Sequence, residues 1–540
     1  RLTAVGFCAL SANTTGVNST AMGWCALRAN TTAVGNTAFG YSVLEDTTTG
    51  NLNTGVGYRM LEENTTGTSN SALGGCALRL NTTGNSNVAM GVCALGSNTT
   101  ASDNTAVGTE SLCTNTTGDN NAAVGKNAML LNTTGAANVA MGRNALKSNT
   151  TANLNTAVGD CALQANTTAS DNTAFGAYAL RTNTTGASNV AVGKNSLLAN
   201  TTAAANTVLG YNTLLSNTTG GYNTASGIEA LSSNTTASNN TAFGGEALKK
   251  NTTGDSNTAV GLSAVACNTT GTRNTGVGFE ALKINTTGTL NVAHGFCSLP
   301  SSTTAEDNTA SGAFSMRNTT TGGANVAIGQ EAMCGNSTGC QNTALGSFAL
   351  NTNTTGAYNV AVGRLALRYN TTGDYNVAVG RRTGESVTTG ENNILIGREA
   401  GISGSPFTVT TQDNRIVLGD NSITNFYAKV ALTVTSDLRD KTEIADVPHG
   451  LDFVDKLKPV SFKFKKSRED DTPTGTKHYG FLAQDILELE GDNNVIIDNE
   501  QSDHLKYKGE HLVPVLVNAI QELSETNKDL KSRIEALETS

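Results

Sequence analysis

Asn81-Thr82-Thr83-Gly84-Asn85-Ser86-Asn87-Val88-Ala89-Met90-Gly91-Val92-Cys93-Ala94-Leu95-Gly96-Ser97 is one copy of a unit that fills about three-quarters of the chain. The general form is N-T-T-G-x-x-N-T-A-V-G-x-x-A-L-x-x. Its second glycine recurs at Gly6, Gly23, Gly40, Gly57, Gly74 and Gly91, and so on to Gly397, 23 steps of 17 after Gly6, which makes 24 units without an insertion or deletion. A fixed period signals a stacked architecture. A rung that must sit in register on its neighbours tolerates no indels, whereas a loop does.

Counting from that glycine as position 0, position 4 is Leu10, Leu27, Leu44 and Leu61, and position 16 is Met22, Phe39, Val56 and Leu73. Positions 3 and 15 are almost always Ala. One or two Gly and a run of Asn and Thr in every unit exclude a helix. Two short strands per unit fit better, one around N-T-A-V-G and one around x-x-A-L. Their large residues, at positions 4 and 16, would share an interior stripe. Position 13 is Asn in an unbroken series from Asn36 to Asn393, and position 7 is Asn in most units (Asn13, Asn30, Asn64, Asn81). Asn suits corners, and stacked Asn amides can bond from rung to rung. Glycines at positions 0 and 10 would allow positive φ at turns. The expected fold is mostly β: a parallel β-solenoid or β-roll shaft over 1–397, on the order of 110 Å long at a strand spacing of ~4.8 Å.

Positions 1, 2, 5, 6, 11 and 12 vary and are expected to face outward. Asn-Thr-Thr is also a glycosylation sequon, although Asn and Thr are what a β corner asks for. Six of the ten cysteines (Cys8, Cys25, Cys76, Cys93, Cys161 and Cys297) lie two residues after the repeat glycine. Stacking would bring Cys8 near Cys25 and Cys76 near Cys93, and free thiols are the favoured reading. There is no metal-type C-x-x-C pair, so no metal and no cofactor is expected. The net charge of −9 lacks a basic block, which argues against nucleic acid. No long apolar run suggests membrane insertion. The chain opens Arg1-Leu2-Thr3-Ala4, which is not a signal peptide, and reads as a fragment or processed form.

The period breaks after Gly397. Residues 398–435 read as a β-rich neck, with Asn414 to Gly419 repeating the motif after a step of 22 and an alternating strand pattern over Phe426–Thr435. From 436 the composition changes: Lys, Asp and Glu become common. Residues 436–511 form a separate small α+β domain, and 512–540 a helix. In the helix Leu516, Ile520, Leu523, Asn527, Leu530, Ile534 and Leu537 alternate spacings of 4 and 3, the seam of a coiled coil. On propensity alone Ile and Leu there would favour two strands, with Asn527 fixing register.

The N-T-A-V-G-x-x-A-L string resembles the head repeats of trimeric autotransporter adhesins and the fibre repeats of some phage and algal-virus proteins. That likeness implies three chains, each a left-handed parallel β-roll, around a three-fold axis. Four further strings, Ser436-Asp437-Leu438-Arg439-Asp440-Lys441, Leu457 to Phe462, His478 to Asp485 and Tyr507 to Leu523, together resemble the self-cleaving intramolecular chaperone domain of phage endosialidases and tail spikes. The resemblance implies a trimer and therefore a three-stranded helix seam. It also implies a single-turnover serine endopeptidase built on a Ser-Lys dyad, with Ser436 as nucleophile and Lys441 as base. The cut would fall between Thr435 and Ser436, with Asp437, His478 and Gln484 supporting the site. Lys441 lies five residues on, so a bend must bring it back to Ser436.

The expected function is a homotrimeric tail or capsid fibre on the virion surface. It would meet a host-surface receptor, a glycan or a surface protein, and join a virion or baseplate protein at its N-terminal end. A cellular surface adhesin or a contractile-injection-system fibre is the alternative. A glycan-degrading tail spike fits less well, because one Trp and a charge-poor shaft offer neither carboxylate clusters nor an aromatic-lined groove.

Overall fold

The computed structural model describes residues 1–430, 434–465, 468–492 and 494–539. They divide into two compact units, Arg1–Asn376 and Val377–Ser540. The division falls inside the repeats rather than at 397.

The first unit is a parallel β-solenoid with one short strand per rung, from β1 (Thr3–Val5) to β22 (Val360–Val362). Successive strands pair in register at equivalent positions: Thr156 with Thr173, Ala157 with Ala174, Val158 with Phe175. The repeat continues in the second unit with β23 (Val377–Val379), β24 (Ile394–Ile396) and, after the 22-residue step, β25 (Ile416–Leu418). The chain thus carries a mostly β, 17-residue-repeat solenoid of about 23 turns.

The interior is narrow. Ala89, Ala94 and Leu95 are fully buried, and the same positions are buried in nearly every rung. Two asparagine ladders run beside them. At position 7, Asn98 Nδ2 donates to Asn81 Oδ1 of the preceding rung (2.8 Å) and to Ala101 O of its own (2.9 Å). At position 13, Asn87 Nδ2 donates to that same Ala101 carbonyl on the next rung (2.8 Å), and Asn87 Oδ1 accepts the Asn104 amide (3.0 Å). Buried amides must be paired or cost about 1–3 kcal/mol each, and a strict period pairs nearly all of them at once. A third ladder, outside, joins Thr99 Oγ1 to Thr116 O (3.1 Å).

Three expectations are corrected. The second strand per unit does not form: Cys93 and Leu95 have φ of 56° and 49°, left-handed values repeated at positions 2 and 4 along the shaft. Their amides still reach neighbouring rungs, Cys93 N–H to Gly75 O before it (2.9 Å) and Leu95 N–H to Ser111 O after it (3.0 Å). A left-handed leucine costs about 1–2 kcal/mol; full burial of its side chain returns about 1.5–3 kcal/mol, so the conformation persists. Position 16 is not interior: Met22, Phe39, Leu73 and Met90 are exposed, because the strand alternates and Ala at position 15 already faces in. Finally, positive φ occurs at position 0 and at position 12, where glycine is rare, as in Gly91 and Asp103, whereas the glycines of position 10, such as Gly84, lack it.

All ten cysteines are free. Apart from the half-buried Asn13 of the first rung, the sequon asparagines of position 7, Asn81 and Asn98 among them, are fully buried and committed to the ladder. In the neck, residues 426–430 form no strand, and Ala431, Leu432 and Thr433 lie outside the described residues. Residues 398–415 instead form a loop that buries Ile402, Phe407 and Val409.

The C-terminal domain packs α1 (Leu451–Val454), a hairpin of β26 (Val460–Lys465) with β27 (Pro473–Gly480), α2 (Ala483–Glu490), a short pair of β28 (Ile497–Asp498) with β29 (Lys506–Tyr507), and α3 (Gly509–Glu538). Phe453, Ile486, Ile496, Ile497, Leu512 and Val515 form its core. Glu490, also buried, accepts three backbone amides, from Val495, Ile496 and Ile497 (2.7, 2.6 and 2.9 Å), which ties the end of α2 to β28. The first turns of α3 therefore belong to the domain, which reaches past residue 511. Beyond them Leu516, Ile520, Leu523, Leu530, Ile534 and Leu537 are exposed.

Candidate functional site

Ser436 opens the C-terminal domain. Asp437 follows as the N-cap of a single 3-10 turn, Leu438–Asp440; its side chain accepts the Arg439 amide. Asp favours this position because its carboxylate takes an otherwise unpaired amide. The same carboxylate grips the Arg439 guanidinium, Nη2 to Oδ2 at 2.6 Å, and that pairing holds the Asp437 carboxyl below the usual carboxylate range.

The 3-10 turn ends at Lys441, whose amide bonds back to Leu438 O. That reversal brings the two side chains together: Lys441 Nζ donates to Ser436 Oγ at 2.7 Å. Both residues are exposed. The pair has the contact that a nucleophile and its base require. A lysine accepts a proton only in surroundings that disfavour its charge, and Lys441 is exposed among the described residues.

The other residues named as support are separate. Asp437 is occupied by Arg439. His478 lies on β27 opposite Phe462, its ring 5.8 Å from that of Phe462 and 5.4 Å from that of Phe464. Gln484 is exposed on the first turn of α2. Among the described residues no hydrogen bond links His478 or Gln484 to the pair.

Residues 436–495 match the family model of the chaperone of endosialidase. The match starts at Ser436 itself and contains Lys441, His478 and Gln484. It ends before α3, so the helix and the Tyr507–Leu523 string lie beyond it. Together, the chaperone domain and the solenoid fit a fibre with an endosialidase-type chaperone at the C-terminal end of a repeat shaft. No curated protein matches the chain.

A second feature went unseen in the sequence. The chaperone domain meets the last solenoid turn, in the second unit, around a cleft of about 720 Å³ lined by Phe407, Arg415, Glu500, Lys506 and Lys508. Arg415 Nη2 bonds both Glu500 oxygens at 2.8 Å, and Gln501 Nε2 donates to Thr408 O at 2.7 Å. Lys506 Nζ sits 3.7 Å from the centre of the Phe407 ring, and burial lowers its pKa. These residues are 85 or more apart in sequence, and no local pattern announces such a contact.

Proposed function

We propose that the chain is a fibre of the phage-tail type, displayed on the virion surface, whose C-terminal domain templates assembly and is then removed by cleavage of its own Thr435–Ser436 bond. The chaperone match and the solenoid support the fibre, and the family implies trimeric assembly. The observation that carries the cleavage is the 2.7 Å contact from Lys441 Nζ to Ser436 Oγ at the first residue of the match.

The chemistry follows from the position of Ser436, immediately after the bond to be cut. Lys441, once neutral, takes the Ser436 hydroxyl proton. Oγ attacks the Thr435 carbonyl carbon, the C–N bond breaks, and the lysine returns the proton to the departing Ser436 nitrogen. The resulting ester is hydrolysed by water, leaving a Thr435 carboxylate and a Ser436 amine. Neighbouring copies of the chain supply the cover that a neutral lysine needs, so cleavage waits for assembly.

The shaft carries the attachment role. Its outward columns vary, and at position 1 Phe7, Trp24, Tyr41 and Tyr58 form an exposed stack with successive centroids 6.3, 4.7 and 5.3 Å apart. Such an edge suits a host-surface glycan or protein, while the N-terminal end joins the virion. A denaturing gel of the assembled full chain tests the cleavage: two fragments, 1–435 and 436–540, are expected, and a single uncut chain after complete assembly overturns it.

A further inference from the structure

We propose that the strand face of the first unit, made by positions 14 and 16, is where two further copies of this chain pack. This rests on the trimeric fibre reading above and says which surface is shared.

In each rung after the first, the residue at position 15 points inward and its neighbours at positions 14 and 16 point outward. The outward residue of position 16 is large and apolar in most rungs, and Phe175 and Leu209 are 56% and 53% exposed. Strict register stacks these side chains into one continuous column at about 4.8 Å spacing. The exposed apolar area is on the order of 1,000 Å², beyond the few hundred Å² that a monomer ordinarily shows.

Charge is absent from the same face. In none of the strands β1 to β22 is position 14 or 16 Lys, Arg, Asp or Glu. Soluble surfaces are roughly 25–35% charged, so two outward positions in each of 22 strands without one charge is a strong exclusion. The charges begin at the flanking columns: Lys126, Arg143 and Asp160 at position 1, Asp103, Asp171 and Arg273 at position 12. There they pair between rungs, as Arg143 does with Asp160 at 2.9 Å.

The periodicity selects the occupant. Only a partner with the same rise per rung can stay matched along such a face, and another copy of this chain has that rise by construction. Around a rotation axis, residues of equal height meet one another. A charge at position 14 or 16 would meet its own like, which is costly; an uncharged column meets itself without penalty. The exposed seam of α3 is a second, separate apolar stripe of the kind that holds parallel copies together.

The test uses the full chain. Phe243→Lys with Val260→Lys charges the face, and Leu262→Lys with Leu290→Lys places the same charges on the flanking columns. Light scattering on the unaltered protein reads the assembly, and circular dichroism reads strand content. The face variant is expected to keep its strands, bind several-fold more apolar dye and melt more than 10 °C lower; the flanking variant is expected to match the parent. As an independent readout, Val260→Cys should give oxidised chain-to-chain dimers above the parental background, and Leu262→Cys should not. A trimeric parent with an indifferent face variant, or with no excess cross-linking at position 260, overturns the face but leaves the trimer. A monomeric parent overturns both.

Discussion

Asn98 Nδ2 donates to Asn81 Oδ1, one rung earlier, at 2.8 Å, whereas the equivalent oxygen of Asn30 is buried and accepts nothing. The rung after Asn30 has Thr47 in place of asparagine, too short to hand an amide back. Asn64 reaches the Thr47 hydroxyl only at 3.4 Å. The ladder is interrupted on both sides of one residue.

Thr47→Asn should therefore stabilise the shaft. It would satisfy Asn30 Oδ1, accept from Asn64 and donate to Gly50 O. The gain should be about 1–2 kcal/mol per chain, read as a higher denaturant midpoint. The reverse change, Asn149→Ala, removes donors and acceptors from an intact stretch and should cost about 1–3 kcal/mol. An unchanged midpoint in both would show that the ladder adds nothing to stability.

Leu163→Asp puts a carboxylate into a fully buried column. With no partner there it should cost several kcal/mol and prevent a heat-resistant assembly. Arg181→Ala, at an exposed position, should stay within about 0.5 kcal/mol of the parent. Thermal melts of the two variants side by side check the assignment of inside and outside.

Ser436→Ala and Lys441→Ala should each leave the chain uncut yet assembled, since neither side chain packs in the chaperone core. Deleting 436–540 should give insoluble shaft, because unaided parallel pairing over long sequence separations is slow and exposes apolar surface. Gel analysis of soluble and pelleted fractions separates the two roles: soluble shaft after the deletion would remove the templating role.

Asp420 offers an acid test of the last turn. Burial pushes its carboxyl up, but Arg398 and the Ser422 amide pull it further, and it ends below the ordinary value. A depressed folded pKa contributes stability above the unfolded value of about 3.9 and loses it as pH falls through the folded value. Opening of the last turn, followed by hydrogen exchange at Gly419 and Ile423, should therefore rise steeply on acidification below about pH 4. Asp420→Asn should flatten that rise.

The period, the buried leucine of position 4 and the asparagine ladders were legible because each reflects one constraint repeated 17 residues apart. The second strand was misread because nothing in Cys93-Ala94-Leu95 marks a left-handed backbone; neighbouring rungs impose it. Position 16 was misread because a large apolar residue does not by itself say which side of a strand faces the interior, and Ala at position 15 already fills that side. The bend at Asp437–Lys441 was expected only because the family resemblance pairs Ser436 with a lysine five residues on. The Arg415–Glu500 contact could not, since residues 85 apart in sequence meet only after both parts have folded.

Each inner rung of the first unit touches only the rung before and the rung after, through the same amides at the same heights. Removing or adding one whole unit leaves every remaining seam as it was. Gain or loss of one full unit therefore lengthens or shortens the shaft by ~4.8 Å and alters a single seam. Reach can thus change while both ends of the protein stay the same.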